Sequence, residues 1–110
     1  MRVDAPTCAP DERLREVRAR LGEWDTCFVL DADGVVLGRL GRSALRSDED
    51  VSAQEAMTNG PGTIRPSARL EWCVDRMRTR DLSNLPVTSS DGRFLGLLTR
   101  EGAERALHGA

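Results

Sequence analysis

The sequence predicts an α/β (α+β) fold made of two tandem copies of one β-α-β-β-α unit. Three observations predict it. First, the two halves match residue by residue: Thr7 with Thr63, Pro10 with Pro66, Leu14 with Leu70 and Leu21 with Met77, each pair 56 positions apart. Beyond the first helix the spacing becomes 58, in Val29 with Val87, Asp33-Gly34 with Asp91-Gly92, Leu37-Gly38 with Leu95-Gly96, Leu40 with Leu98 and Arg42 with Arg100. Second, apolar residues recur at helical spacing early in each copy and then form β-favouring runs. Third, an Asp-Gly turn separates those runs, which is the mark of a hairpin. Self-similarity at a fixed period identifies a repeat architecture. The slip from 56 to 58 places two extra residues around Arg78–Asp81 and leaves strand facing intact, since side chains alternate with period two.

In the first copy, residues 1–6 read as a leader and Thr7-Cys8 as a short strand. Pro10-Asp11-Glu12 opens a helix, with acids in the first turn, and Gly22 ends it. Leu14, Val17 and Leu21 form its apolar stripe. Thr26–Leu30 and Val35–Leu40 are hairpin strands around Asp31-Ala32-Asp33-Gly34, and Gly41–Leu45 begins a short helix. Arg46–Asp50 is a polar linker. Ser52 and Glu55 have capping-box spacing, so a short helix runs to Met57. Asn59-Gly60-Pro61-Gly62 breaks it.

In the second copy, Gly62-Thr63-Ile64 is a short extended run stopped by Arg65-Pro66. Ser67 caps a helix reaching about Arg80, with Leu70, Cys73, Val74 and Met77 inward. Asn84–Val87 and Phe94–Leu98 form the second hairpin, in which Pro86 removes a ladder donor. Thr99 caps a last helix, Arg100–Leu107. Each copy is too small to close a core alone. The expectation is one module over residues 1–110: repeat one about 5–46, linker 47–56, repeat two about 57–108. The copies would pack with pseudo-two-fold symmetry and frame two equivalent clefts.

Composition excludes several functions. No apolar run approaches the roughly 18 residues of a membrane span, and Met1–Pro6 lacks a signal-peptide core, so a cytoplasmic location follows by default. The net charge is −2, and the aromatics are two Trp and two Phe. No basic block appears, which argues against a nucleic-acid surface. Cys8, Cys27 and Cys73 lack metal spacing and read as buried free thiols. The only His, His108, is near the end, so no nucleophile–base pair, metal site or catalytic residue is expected and the chain does not read as an enzyme. Trp72 falls beside the apolar stripe of its helix, and reads as a packing or dimer-contact residue more than a base-stacking one.

Met57-Thr58, Thr63-Ile64-Arg65-Pro66, Leu70, Asn84-Leu85-Pro86-Val87 and Asp91–Thr99 follow, in order and spacing, the pattern of a CBS domain. The first copy matches through Thr7, Pro10, Leu14, Phe28-Val29, Asp33-Gly34 and Val36-Leu37-Gly38. The whole chain resembles a free-standing CBS pair, or Bateman module. The resemblance implies a regulatory module that binds an adenosine-containing ligand (AMP, ADP, ATP or S-adenosylmethionine) in a cleft between repeats, and that signals to a partner protein or works as a homodimer. It implies ligand contacts at Thr58, Thr63, Ile64, Leu85, Pro86, Val87 and Thr99, with no required cofactor. Family members carry a ribose-binding Asp three residues after the Thr; here Gly102 holds that position, and in the first copy Gly41 and Ala44 replace both residues. The alternative is a structural, protein-interaction dimerisation module with non-binding clefts.

Overall fold

The computed structural model describes residues 1–60 and 62–109; Pro61, within the expected break after Met57, lies outside the described residues. The chain divides into two compact units, Ala5–Pro61 (the N-terminal unit) and Met1–Asp4 with Gly62–Ala110 (the C-terminal unit).

The N-terminal unit contains β1 (Thr7–Cys8), α1 (Leu14–Ala19), β2 (Cys27–Leu30), β3 (Val36–Leu40), α2 (Arg42–Arg46), α3 (Ala53–Ala56) and β4 (Thr58–Asn59). Its sheet runs β1-β2-β3-β4, with β1 parallel to β2 and the other pairs antiparallel. The α1 stripe, Leu14, Val17 and Leu21, packs with Cys8, Cys27, Val29, Leu40, Leu45 and Ala53 in one core. The C-terminal unit contains α4 (Leu70–Thr79), β5 (Asn84–Thr88), β6 (Phe94–Thr99) and α5 (Arg100–His108). Cys73, Val74 and Met77 of α4 pack there with Ile64, Leu85, Val87 and Ala103.

The repeat extends to hydrogen-bond register. Cys27, Phe28, Val29 and Leu30 face Leu40, Arg39, Gly38 and Val36. Leu85, Pro86, Val87 and Thr88 face Leu98, Leu97, Gly96 and Phe94. The same bulge falls at Val29/Leu30 and Val87/Thr88. Both Asp-Gly turns take positive φ at the glycine, +85° at Gly34 and +86° at Gly92, where a Cβ would be strained.

Four expectations are corrected. Residues 1–6 are not a loose leader: Arg2 pairs with Leu97 on the open edge of β6, by bonds of 2.7 and 2.6 Å. This is the counterpart of β4, whose Thr58 pairs with Arg39. The helices also begin later than expected. Pro10 and Pro66 each occupy the second position of a turn, closed by Glu12 N–H to Ala9 O and Ala68 N–H to Arg65 O, where proline's fixed φ fits. The N-caps are therefore Arg13 and Arg69, without side-chain caps, and Ser67 is a turn residue. Gly22 does not end α1, which stops at Ala19; its φ of +61° serves the following turn.

The last correction concerns Gly62-Thr63-Ile64, expected as a strand. Only Ile64 bridges, to Val87, through Ile64 N–H to Pro86 O at 3.0 Å and Thr88 N–H to Ile64 O at 2.8 Å. In the N-terminal unit the equivalent ladder has one bond more, Phe28 N–H to Pro6 O at 3.1 Å. Pro86 occupies Phe28's place and has no N–H to give. The missing donor shortens the strand to a single bridge.

The other local signals hold. Ser52 caps α3 as its spacing to Glu55 predicts: its Oγ accepts from Glu55 N–H at 3.2 Å, and its hydroxyl donates to the Glu55 carboxylate at 3.1 Å, in place of the backbone N–H of a full capping box. Cys8, Cys27 and Cys73 are buried and free. A shared hydrogen bond with Cys8, reinforced by burial, pushes the Cys27 thiol up, and burial raises Cys73; both stay protonated and unreactive.

Candidate functional site

The structure places the expected ligand residues in three settings. Leu85 and Val87 point into the core with Ile64, and Pro86, on the other face of β5, is also fully buried. None of these three lines the cleft described below, which they meet only by way of Ile64's backbone bonds to Pro86 and Thr88. Thr63 is exposed on the short segment those bonds hold. Thr58 lies in β4 of the N-terminal unit, apart from the others.

Thr99 is the N-cap of α5. Its Oγ1 accepts the Gly102 N–H at 3.0 Å, satisfying a donor that the first helical turn leaves free. A Cβ at position 102 would stand 2.8 Å from that oxygen, so glycine lets the hydroxyl close onto the helix end. We expect Thr99→Val to lower stability by about 1 kcal/mol, or about 4 °C in thermal midpoint at this size. An unchanged midpoint would show that the hydroxyl does not cap the helix. The corresponding helix of the N-terminal unit has no such device: Gly41 is the N-cap of α2 without a side-chain bond.

Thr63 and Ile64 do share a cleft, but with residues the sequence did not single out for binding. Together with Arg65, Ser67, Arg69 and Trp72 they line about 440 Å³. The volume lies within the range of small-molecule sites. The turn at Pro66 and the start of α4 bring these residues together. Trp72 sits one position before Cys73 of the buried stripe and is 49% exposed. The Arg76 guanidinium lies 5.2 Å from its ring centroid, a cation–π contact that steadies the indole. Gly62 allows this arrangement, because a Cβ there would fall 2.8 Å from Arg76 Nη2. The cleft thus has an aromatic plane, an aliphatic floor at Ile64, hydroxyls at Thr63 and Ser67, and two cations at Arg65 and Arg69. That set can hold a flat, apolar body carrying an anionic group.

A second cleft, of about 380 Å³, lies in the N-terminal unit and includes Thr58, Gly41 and Ala44 in its lining. Among the described residues no three His, Cys, Asp or Glu side chains are grouped to hold a metal, and no helix is long and apolar enough to cross a membrane.

Over 104 residues, 90% of its length, the chain is 31% identical to inosine-5'-monophosphate dehydrogenase of Mycobacterium tuberculosis, but spans only 20% of that enzyme. In fold it matches the crystal structure of CBSX2 in complex with AMP, with a TM-score of 0.84 at 22% identity over 94% of this chain and 87% of that one. It also matches the cytosolic domain of the Mg2+ channel MgtE in complex with ATP, with a TM-score of 0.82 at 19% identity over 94% of this chain and 45% of that one. The model of the CBS domain matches residues 49–109, more than half of the chain. With both copies sharing one register, the chain belongs to the CBS-domain family.

Proposed function

We propose that this chain is a regulatory module that binds an adenosine-containing nucleotide in the cleft of its C-terminal unit and transmits occupancy to a partner protein or a second copy. The observation that carries this reading is the conjunction of Trp72, Ile64, Arg65 and Arg69 around one opening. A purine stacks on an indole whatever its substituents, and guanidinium groups take phosphate oxygens in pairs. CBSX2 in complex with AMP and MgtE in complex with ATP make an adenosine ligand the natural first choice. In this reading Thr63 and Ile64 touch the ligand. Leu85, Pro86 and Val87 support Ile64 from behind, and Thr99 holds α5.

The signal follows from Pro86. Ile64 is packed against α4, but the segment carrying it and Thr63 is tied to β5 by two backbone bonds alone, so exposed Thr63 is the residue freest to adjust. A ligand between Ile64 and Trp72 favours the arrangement that fits it, and shifts the population by its differential affinity.

A second reading rests on Thr99. Its hydroxyl is engaged with Gly102 N–H, and no carboxylate stands at position 102. This favours an interaction module in which exposed Trp72 docks on a protein. Thermal unfolding against AMP, ADP, ATP and S-adenosylmethionine separates the two. AMP at about 100 times its Kd stabilises by about 2.7 kcal/mol, a rise of about 10 °C. Trp72→Ala should weaken AMP by about tenfold or more, the value of one stacked base, with little change in the unliganded midpoint. Flat curves for all four nucleotides would sink the ligand reading and leave the interaction module.

A further inference from the structure

We infer that the C-terminal cleft is a docking slot for a short acidic segment of a partner protein, folded as a single helical turn and held by its backbone. The molecule carries its own template for this occupant. In the N-terminal unit the turn at Pro10 is covered by the segment that contains α3. Leu14 N–H donates to Val51 O at 3.0 Å, Ala53 N–H to Glu12 O at 2.8 Å and Gln54 N–H to Pro10 O at 2.9 Å. The Arg13 guanidinium adds a bond to the Asp50 carbonyl oxygen at 3.5 Å. Ala53 is wholly buried in the core, with Val51 and Ala56 packed against it.

The repeat offset of 56 carries Pro10, Glu12, Arg13 and Leu14 onto Pro66, Ala68, Arg69 and Leu70. The Pro66 turn closes by the same bond, and α4 starts at Leu70 as α1 starts at Leu14. Yet among the described residues no segment bonds to Leu70 N–H, Ala68 O or Pro66 O as the α3 segment does in the other unit. Burial records the difference. Leu14 is buried and Pro10 partly so, whereas Leu70 is only partly buried and Pro66 is exposed. The cleft of Thr63, Ile64, Arg65, Ala68, Arg69 and Trp72 opens at this uncovered turn.

Charge names the occupant. Arg65 and Arg69 stand in the lining with no acid, where the N-terminal unit has Ala9 and Arg13. The segment that covers the N-terminal turn is itself acidic, with Asp48-Glu49-Asp50 before its cap and Glu55 after it. An acidic turn with a small residue after its cap fits both the backbone groups and the cations. Resting on the nucleotide reading above, AMP and this segment compete for one opening, so that nucleotide binding releases the partner.

The test is fluorescence anisotropy of a labelled peptide with the sequence Asp48–Met57, added to the full chain. Saturation below about 1 mM is expected, the weak end of recognition. N-methylation at the Ala53 and Gln54 positions should weaken binding by about tenfold or more, for the two backbone bonds lost. Arg69→Gln should weaken it by about threefold, for one cation removed. A scrambled peptide of the same composition should bind at least about tenfold more weakly, since charge alone does not set the fit. In amide NMR the peptide should shift Ala68 and Leu70 and leave Glu12 and Leu14 in place. The inference is overturned if the peptide does not bind, if the scrambled or N-methylated peptide binds as tightly, or if the shifts fall on Glu12 and Leu14, where the peptide would be displacing α3. Self-association of the chain that the peptide dissolves would assign the slot to a second copy and overturn the partner. Loss of peptide binding with AMP still raising the thermal midpoint would remove this inference alone. AMP bound without displacing the peptide would overturn the shared opening. A bound peptide with flat AMP curves would sink the nucleotide reading and keep the slot.

Discussion

Phe28→Ala is expected to lower the stability of the chain by 3–5 kcal/mol, about the full loss seen when a large aromatic leaves a packed interior. Phe28 is wholly buried. It lies on the face of β2 opposite Cys27 and Val29, which point at α1. Across the ladder its partner is Arg39, whose guanidinium stands 5.0 Å from the ring centroid. Burial holds the Arg39 pKa below its ordinary value, so the ring's negative face is a favourable neighbour for a cation partly stripped of water. Alanine leaves a void and removes that neighbour together. Phe28→Leu keeps most of the volume and should cost under about 1.5 kcal/mol. Urea denaturation followed by circular dichroism gives both values. At about 4 °C per kcal/mol, the alanine variant should melt about 12–20 °C early. Since whole domains are stable by only about 5–15 kcal/mol, it should be close to unfolded at 37 °C. A loss below about 1 kcal/mol would mean that the ring is not held in a packed interior.

What could be read in the sequence was what repeats or alternates. The spacing of 56 and then 58 gave the register of both hairpins, because Asp-Gly turns and β-branched runs are local signals. The stripe Cys73, Val74 and Met77 was legible from helical periodicity, and Ser52–Glu55 from capping-box spacing. The edge pairing of Arg2 was not, since a single bridge carries no periodic pattern. Pro10 and Pro66 were read as helix openings, although the turn each sets up belongs to the residues before it. Thr63 and Ile64 of the C-terminal cleft are legible by position, whereas its Trp72 side is not. Beside an apolar stripe, an aromatic reads as packing, and only the turn at Pro66 shows that its ring borders an opening. Leu85 and Val87 looked like candidate ligand contacts by position, but strand alternation turns both towards Cys73 and Met77.

Gly38→Val tests the edge strand that brings Thr58 to its cleft, and should cost about 3 kcal/mol, the upper part of the range for overpacking. A Cβ at position 38 would lie 2.8 Å from Met57 Cγ and 2.8 Å from the Thr58 carbonyl oxygen. The two obstacles differ in kind. The Met57 side chain is flexible and can swing away. The carbonyl belongs to β4, and moving it gives up the pairing of Gly38 with Asn59 and of Arg39 with Thr58. Replacing Met57 with Ala in the same chain should therefore restore only part of the loss; full restoration would show that backbone crowding plays no role. Gly96 makes the same argument in the other unit, where a Cβ would meet Met1 Cγ at 2.7 Å and Arg2 O at 2.9 Å. Gly41→Ala is the control, because nothing lies within 4 Å of its Cβ, and it should cost under about 1 kcal/mol, the difference between glycine and alanine at an N-cap. Once β4 is displaced, Thr58 leaves the N-terminal cleft while Trp72 and Arg69 are untouched. Gly38→Val should then still bind AMP at Trp72, since the C-terminal cleft takes no residue from β4.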